Sequence, residues 1–405
     1  MSPTSWPTDA PARAKNTESG SPAVRRLSAL LAAAVEAGAS DLHLEPDRDG
    51  LRVRMRVDGH LHDIEPPPAA LVAALLTRIR LLSRVDLAER RLPQDGRFTW
   101  ALDAGESVDV RASFLPAARG EKIALRLLRH HGAAPSLDAL GMSSDALERF
   151  RHALARPNGL LLVVGPTGSG KSTTLHAALV HLRGATRSLA SVEDPVEFDI
   201  AGVSQVAVDE EIGRTFAVVL RALLRQDPDV LMVGEIRDDE SARIACRAAL
   251  TGHLVLTSLH ASHAREALLR LPEIGVPDYL VRATVALVVA QRLVRRLCRA
   301  CVQARRSDAG DAEWFARAGL TAPARLAQSQ GCSACLGHGY RGRLALFEIA
   351  SCADDAPSPF AAGSLGAAGL AQVLAGETSF EEVLAHCPHP ADGLLRANPR
   401  DEAPR

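Results

Sequence analysis

Along residues 27–35, apolar side chains return every three or four positions, at Leu27, Leu30, Leu31, Ala34 and Val35. That spacing predicts an amphipathic helix, and Gly38 is the residue that ends it. The period then changes. In Leu51–Val57, four apolar residues alternate with three arginines. This predicts a half-buried antiparallel strand that closes at an Asp58-Gly59 hairpin turn. Leu71, Leu75, Ile79 and Leu82 predict a second helix, and short strands are expected near Phe98–Trp100, Ser107–Phe114 and Lys122–Leu128. Residues 23–130 therefore read as a small α+β domain. Beyond a linker at 131–143 the pattern is different. Leu160–Val164 is an unbroken apolar run, as expected of a strand covered on both faces. Similar runs stand at Val230–Val233 and Leu254–Leu259. Helical segments intervene, one from Ser172 and one built on Phe216, Val219, Leu220, Leu223 and Leu224 and stopped before Pro228. Residues 144–387 thus predict a doubly wound α/β domain. Residues 1–22 and 388–405 have no apolar period and are expected to be disordered.

Composition narrows the functional classes. At 405 residues the chain is long enough for two or three domains, and 47% apolar with 23% charged residues is an ordinary soluble balance. A net charge of −1 and 3% aromatic residues supply neither the basic channel nor the stacking platforms of a nucleic-acid translocase, so no nucleic-acid partner is expected. No stretch approaches the roughly 18 uncharged apolar residues of a membrane span, and residues 1–20 carry no apolar signal segment. The expectation is a cytoplasmic chain without direct membrane insertion. In that compartment seven cysteines point to metal or free thiols rather than to disulfides. Only three of the 47 basic residues are lysine: Lys15, Lys122 and Lys171.

The third of these lies in a phosphate-binding motif. Gly165, Pro166, Thr167, Gly168, Ser169, Gly170, Lys171, Ser172 and Thr173 form a complete P-loop between an apolar strand and a helix. Its glycines let backbone N–H groups converge on phosphate oxygens, and the helix N-terminus adds partial positive charge. Lys171 is expected at the β/γ-phosphates of ATP and the Ser172 hydroxyl on Mg²⁺. Val230–Val233 runs into Gly234 and Glu235, an apolar strand ending in a carboxylate. Gly234 stands where an aspartate is usual. Glu235 is the candidate general base. Glu193, Asp194 and Glu197 put three acids in five residues, which suits Mg²⁺ and water but also suits a solvated turn. His253 and His260 bracket another strand. His260, at its end, can sense a γ-phosphate or be a plain satisfied polar residue.

Cys298, Cys301, Cys332 and Cys335 form two C-x₂-C knuckles. Together they suit a closed, structural Zn²⁺ site, the alternatives being unrelated buried thiols or a redox pair. The excursion between the knuckles is expected to have little core of its own and to depend on metal for its folding.

In order along the chain, the P-loop, Glu193-Asp-Pro-Val-Glu197, Leu224–Asp238, Leu250-Thr-Gly-His253 through His260, and Ala290–Cys298 resemble the secretion ATPase superfamily. Within it the chain is similar to type II secretion ATPases and their relatives, the type IV pilus assembly ATPases. The resemblance extends to Ser40–Pro46, Arg91–Arg97, Asp109–Arg111, Gly339–Arg343 and Gly376–Leu384. It implies a RecA-like P-loop ATPase domain after the small α+β domain, with the Cys₄ zinc-binding insertion at 298–335. It also implies a homo-hexamer with ATP bound between the domains, held at the inner membrane by secretion or pilus platform proteins. Matching positions make Lys171 and Ser172 ligands of nucleotide and Mg²⁺, place Glu193 and Glu197 in the acidic box, and make Glu235 the base and His260 the sensor. Arg97 and Arg111 match first-domain arginines that approach the nucleotide. The expected function is ATP hydrolysis driving pseudopilus assembly and protein export. Pilus assembly is the alternative, and a non-catalytic scaffold is a weaker one. A retraction motor is disfavoured by the cysteine knuckles, which such motors generally lack. The N-terminal docking domain usual in this branch is expected to be missing, which makes the cysteine excursion a candidate contact for the platform.

Overall fold

The computed structural model describes residues 13–14, 21–102, 107–129, 134–184, 186–317, 319–351 and 363–387. The chain divides into two compact units, Met1–His131 and Gly132–Arg405.

In the first unit, helices α1 (Pro22–Glu36) and α2 (Ala69–Ser83) accompany a seven-stranded sheet. Its strands are β1 (Arg13–Ala14), β2 (Ala39–Asp47), β3 (Gly50–Val57), β4 (His60–Ile64), β5 (Gln94–Ala101), β6 (Ser107–Ala117) and β7 (Gly120–Arg129), in the order β1-β5-β6-β7-β2-β3-β4. The alternation in β3 works as expected: Leu51, Val53 and Met55 are buried with Leu27, Leu31 and Leu75, while Arg52 pairs with Asp63 on the other face. Asp58 and Gly59 both take positive φ, 47° and 87°, as a tight hairpin between β3 and β4 requires. The short strand β1 falls inside the arm expected to be disordered, and it pairs in parallel with β5. Helix α1 begins at Pro22, where a missing N–H costs nothing.

The second unit is built on a sheet ordered β10-β9-β11-β12-β8-β13-β16. Its elements are α3 (Ser144–Leu154), β8 (Gly159–Val164), α4 (Lys171–Leu182), β9 (Leu189–Glu193), β10 (Val203–Ala207), α5 (Phe216–Leu223), β11 (Val230–Val233), α6 (Asp239–Leu250), β12 (Leu254–Leu259), α7 (Ala264–Glu273), α8 (Asp278–Thr284) and β13 (Val285–Leu297). These are followed by β14 (Gln303–Arg306), α9 (Ala309–Arg317), β15 (Arg325–Gln328), β16 (Tyr340–Ala350), α10 (Leu365–Leu374) and α11 (Phe380–His386). All neighbours pair in parallel except β13 and β16. Every residue of β8, β9, β11 and β12 is buried, which is why β8, β11 and most of β12 read as apolar runs, while β9 buries Ser191 and Glu193 as well. Two separate cores cover the sheet. One holds Phe216, Leu220, Ala245, Leu271 and Leu280, and the other Phe150, Leu154, Leu175 and Leu179. The expected linker is partly folded: Leu137–Leu140 form a 3₁₀ turn, and Leu137 joins the second of these cores. The expected tail at 388–405 lies outside the described residues.

Candidate functional site

In the register of the parallel sheet, the carboxyl ends of four strands come level. Val164 of β8 lies opposite Leu259 of β12 and Ala290 of β13, and Val233 of β11 lies opposite Val192 of β9 and Thr257 of β12. The next residues are Gly165, His260, Gly234 and Glu193. One sheet edge therefore receives the P-loop, the histidine and the acids, where open α/β sheets hold ligands. β12 separates the P-loop strand from the strand leading to Glu235.

The P-loop has the backbone of a phosphate cradle. Gly165, Gly168 and Gly170 take φ of 159°, 78° and 89°, values that L side chains rarely adopt. A Cβ on Gly165 would stand 2.5 Å from the Gln291 carbonyl oxygen, and one on Gly170 would stand 2.7 Å from the Gln291 side-chain nitrogen. Gly170 begins α4 with no side-chain cap, so the helix's first N–H groups stay available to an anion. The Ser169 hydroxyl is buried without a hydrogen-bond partner. Lys171 Nζ folds back on the Gly165 and Pro166 carbonyls at 2.9 and 3.1 Å. Burial lowers its pKa below the ordinary lysine value, and Arg292 adds to this against the pull of Glu235. A phosphate arriving here meets uncapped N–H groups and a partly desolvated ammonium, so the residues fit a nucleotide's phosphates.

Behind the loop, Gln291 is 2% exposed, and its Oε1 accepts the Thr174 hydroxyl at 2.8 Å. Sequence reasoning missed this brace between β13 and α4. The signal was present, since Gln291 and Arg292 interrupt the apolar stretch Val285–Val294 of β13.

The three acids of the box part ways. Glu193 is 3% exposed and fully engaged: it accepts Ser191 Oγ at 2.5 Å and Gln205 Nε2 at 2.9 Å, and it meets His176 Nε2 at 2.8 Å. Burial pushes its carboxyl pKa up, but the hydrogen bonds of His176, Ser191 and Gln205 outweigh that and hold it below the usual glutamate value. Asp194 is exposed and pairs with Arg237 at 3.1 Å, and Glu197 is exposed. Glu235 is gripped by Arg237 through the arginine's Nε, and His260 Nε2 approaches its other oxygen at 3.6 Å. Arg237 also lies over the Phe216 ring, 5.7 Å from its centroid. Gly234, in place of the usual aspartate, lies against the β9 backbone, and its carbonyl accepts Ser258 Oγ at 2.7 Å. His253 stays apart, its ring at the Ala248 carbonyl at 3.0 Å.

In the first unit, Arg97 and Arg111 are exposed and sit opposite each other in the β5–β6 register, with Arg126 next in the row. The loop ahead of Arg97 is fixed from within. Buried Arg80 pairs with Glu121 and donates to the Glu89 carbonyl at 2.6 Å, while Gln94 donates to the same carbonyl at 2.7 Å.

The four cysteines converge. All their sulfurs lie within 4.8 Å of one another, with Cys301–Cys335 at 3.7 Å and Cys332–Cys335 at 3.8 Å. Zn–S bonds of about 2.3 Å in a tetrahedron place sulfurs about 3.8 Å apart, so the set is compatible with zinc. Burial raises the Cys335 thiol, but N–H groups of Cys332 and Gly339 and the neighbouring thiols outweigh it and bring it down to about 6. Cys246 and Cys387 are buried elsewhere, pushed up by burial to about 11 and about 12.

The excursion between the knuckles corrects one expectation. Its folding is not left to metal alone, because its buried apolar residues join the main core of the second unit: Phe315 of α9 is 0% exposed and lies in that core with Leu326 of β15. The Phe315 ring stacks on Phe380 of α11 at 5.8 Å, and Arg305 of β14 pairs with both Asp311 and Glu381. The excursion is stitched to α11 independently of the sulfurs. If the cluster holds Zn²⁺, chelation should therefore loosen the Gly331–Gly339 loop and leave α9 in place. Hydrogen exchange is expected to rise in that loop alone; a matching rise across α9 would contradict the packing account.

Strand order, an uncapped P-loop helix and a carboxylate after β11, two strands from the P-loop strand, define an α/β nucleotide-binding protein of the P-loop class, with an added four-cysteine cluster. Residues 16–384 match the type II/IV secretion system protein family, and the chain belongs to it. It is 45% identical over 332 residues to the type II secretion system protein E of Pseudomonas aeruginosa, covering 82% of this chain and 66% of that protein. It is 40% identical over 386 residues to the type IV pilus assembly ATPase PilB of Myxococcus xanthus, covering 90% of this chain and 68% of PilB. The chain thus spans about two thirds of the length of these relatives. The ATPase DotB of Legionella pneumophila has a similar fold, with a TM-score of 0.63 at 19% identity, covering 88% of this chain and 94% of DotB. Among the described residues no helix is long and apolar enough to cross a membrane.

Proposed function

We propose that this chain hydrolyses ATP as a cytoplasmic motor that drives pseudopilus assembly and protein export by a type II secretion system. The observation that carries this reading is the convergence, on one sheet edge, of the P-loop, Glu235, His260 and the acidic box. In the mechanism, P-loop N–H groups and Lys171 receive the β- and γ-phosphates, Lys171 leaving its own loop carbonyls to do so. Ser172 would hold Mg²⁺, which supplies charge neutralisation when bound. Glu235 accepts the proton of the attacking water after Arg237 releases it, and His260 senses the γ-phosphate beside it. Glu193 and Glu197 shape the acidic side of the site. In this arrangement Glu193 acts through His176, Ser191 and Gln205 rather than as a free base. Arg97 and Arg111 are assigned to the developing phosphate charge, and Cys298, Cys301, Cys332 and Cys335 to a structural Zn²⁺, which when bound fixes the two knuckles together. The working form is a homo-hexamer recruited to the inner membrane by platform proteins. Pilus assembly is the second reading, favoured by the likeness to the Myxococcus PilB.

If a ring is the active form, phosphate release should rise faster than linearly with protein concentration; strict proportionality from a species of monomer size would overturn the hexamer. Expression in a bacterium lacking its own secretion protein E separates the two systems, because restored export supports the first reading and restored pili the second.

A further inference from the structure

Arg292 of β13 is 8% exposed, and among the described residues no carboxylate lies within ion-pair distance of it. Its guanidinium donates Nη1 to the Gln291 carbonyl at 3.1 Å and Nη2 to the Ser262 carbonyl at 2.6 Å. Two acids lie near and are committed elsewhere. Glu266 of α7 accepts the Ser262 N–H at 2.5 Å, and Glu348 of β16 accepts the Ala264 N–H at 3.0 Å. The loop that follows His260 is therefore gripped from β13, α7 and β16. A buried guanidinium without a carboxylate is costly, and packing alone gives no reason to keep one. Its position does give a reason: Arg292 follows the residue that braces the P-loop, and it holds the loop two residues beyond His260.

We propose that Arg292 is a positioning residue for hydrolysis, holding the Ser262 carbonyl so that His260 stays beside Glu235. The proposal rests on the reading of His260 and Glu235 as the hydrolytic pair. A shift of about 1 Å in a group of this kind can cost about 100-fold in rate. The Nη2 bond to Ser262 bears on turnover, while the Nη1 bond reaches the cradle only through the Gln291 backbone carbonyl and the Gln291 side chain keeps its own hold on α4, so the larger loss should fall on kcat.

The test uses the full chain with Mg-ATP and compares Arg292→Gln, Arg292→Lys, His260→Ala and the His260→Ala/Arg292→Gln double variant. Arg292→Gln should lower kcat by about 10- to 100-fold with KM and ADP affinity nearly unchanged. Arg292→Lys, which still reaches one carbonyl, should recover part of the loss, and it carries the test if the glutamine variant does not fold. In the His260→Ala background, Arg292→Gln should cost nothing further, because both act through one position. Additive losses in the double variant would overturn the proposal while leaving His260 in its role. His260→Ala at parent turnover would overturn both readings.

Discussion

Glu235→Gln should keep nucleotide binding and lose about 10²–10⁴-fold in turnover, the span that follows removal of a general base. The residue follows β11 at its carboxyl end, beside the P-loop strand's neighbour, and its side chain meets Arg237 and His260. Its partners Arg237 and His260 are themselves exposed to solvent in part, so losing one charge there does not strand a buried group. The amide keeps the size and one acceptor but cannot take a proton from water. Fluorescent-nucleotide titration and phosphate release, run side by side, separate the two effects. Parent turnover in Glu235→Gln would move the base elsewhere in the acidic cluster, most simply to Glu197.

His176→Ala should act on stability as strongly as Glu235→Gln acts on rate. His176 and Glu193 are 2% and 3% exposed, 2.8 Å apart, and the His176 ring meets Phe198 edge-on at 5.0 Å. Truncation removes one donor from a buried carboxylate and leaves a gap beside the phenyl ring. Breaking a buried pair of this kind costs about 3–5 kcal/mol, and the lower end is expected because Ser191 and Gln205 still donate. The effect has a pH signature. The Glu193 pKa is depressed in the folded chain, so its contribution is fully present above the ordinary glutamate value of 4.5 and is lost as pH falls through the depressed value. Urea unfolding of the variant should therefore show a large deficit at neutral pH that shrinks in acid. An equal deficit at both would assign the loss to the cavity alone.

The buried strands and the P-loop were legible because one local signal decides each: an unbroken apolar run for a strand covered on both faces, and a glycine spacing for a loop that turns around an anion. Glu193 was harder. Its neighbours in sequence are acids, which suggested a solvated or metal-binding cluster, yet its last position in β9 buries it, and the partners that satisfy it come from α4 and β10. A histidine inside the apolar run Leu175–Leu182 was the available hint. Gln291 and Arg292 were likewise visible as a polar pair within the apolar stretch Val285–Val294 of β13, but what they hold depends on tertiary neighbours that no local period encodes. The excursion was misread because cysteines drew the attention. Trp314 and Phe315 were its real structural signal, two aromatics in a chain that has few.

The central claim, that the P-loop edge of the second unit hydrolyses ATP, is tested most directly by Mg²⁺-dependent phosphate release from the purified chain and from Lys171→Ala. The account predicts release by the parent, and loss of both nucleotide binding and release in the variant, because Lys171 is the ammonium poised at the cradle. Release that persists unchanged in Lys171→Ala, or a parent chain that binds nucleotide and releases no phosphate at concentrations where it assembles, would contradict it.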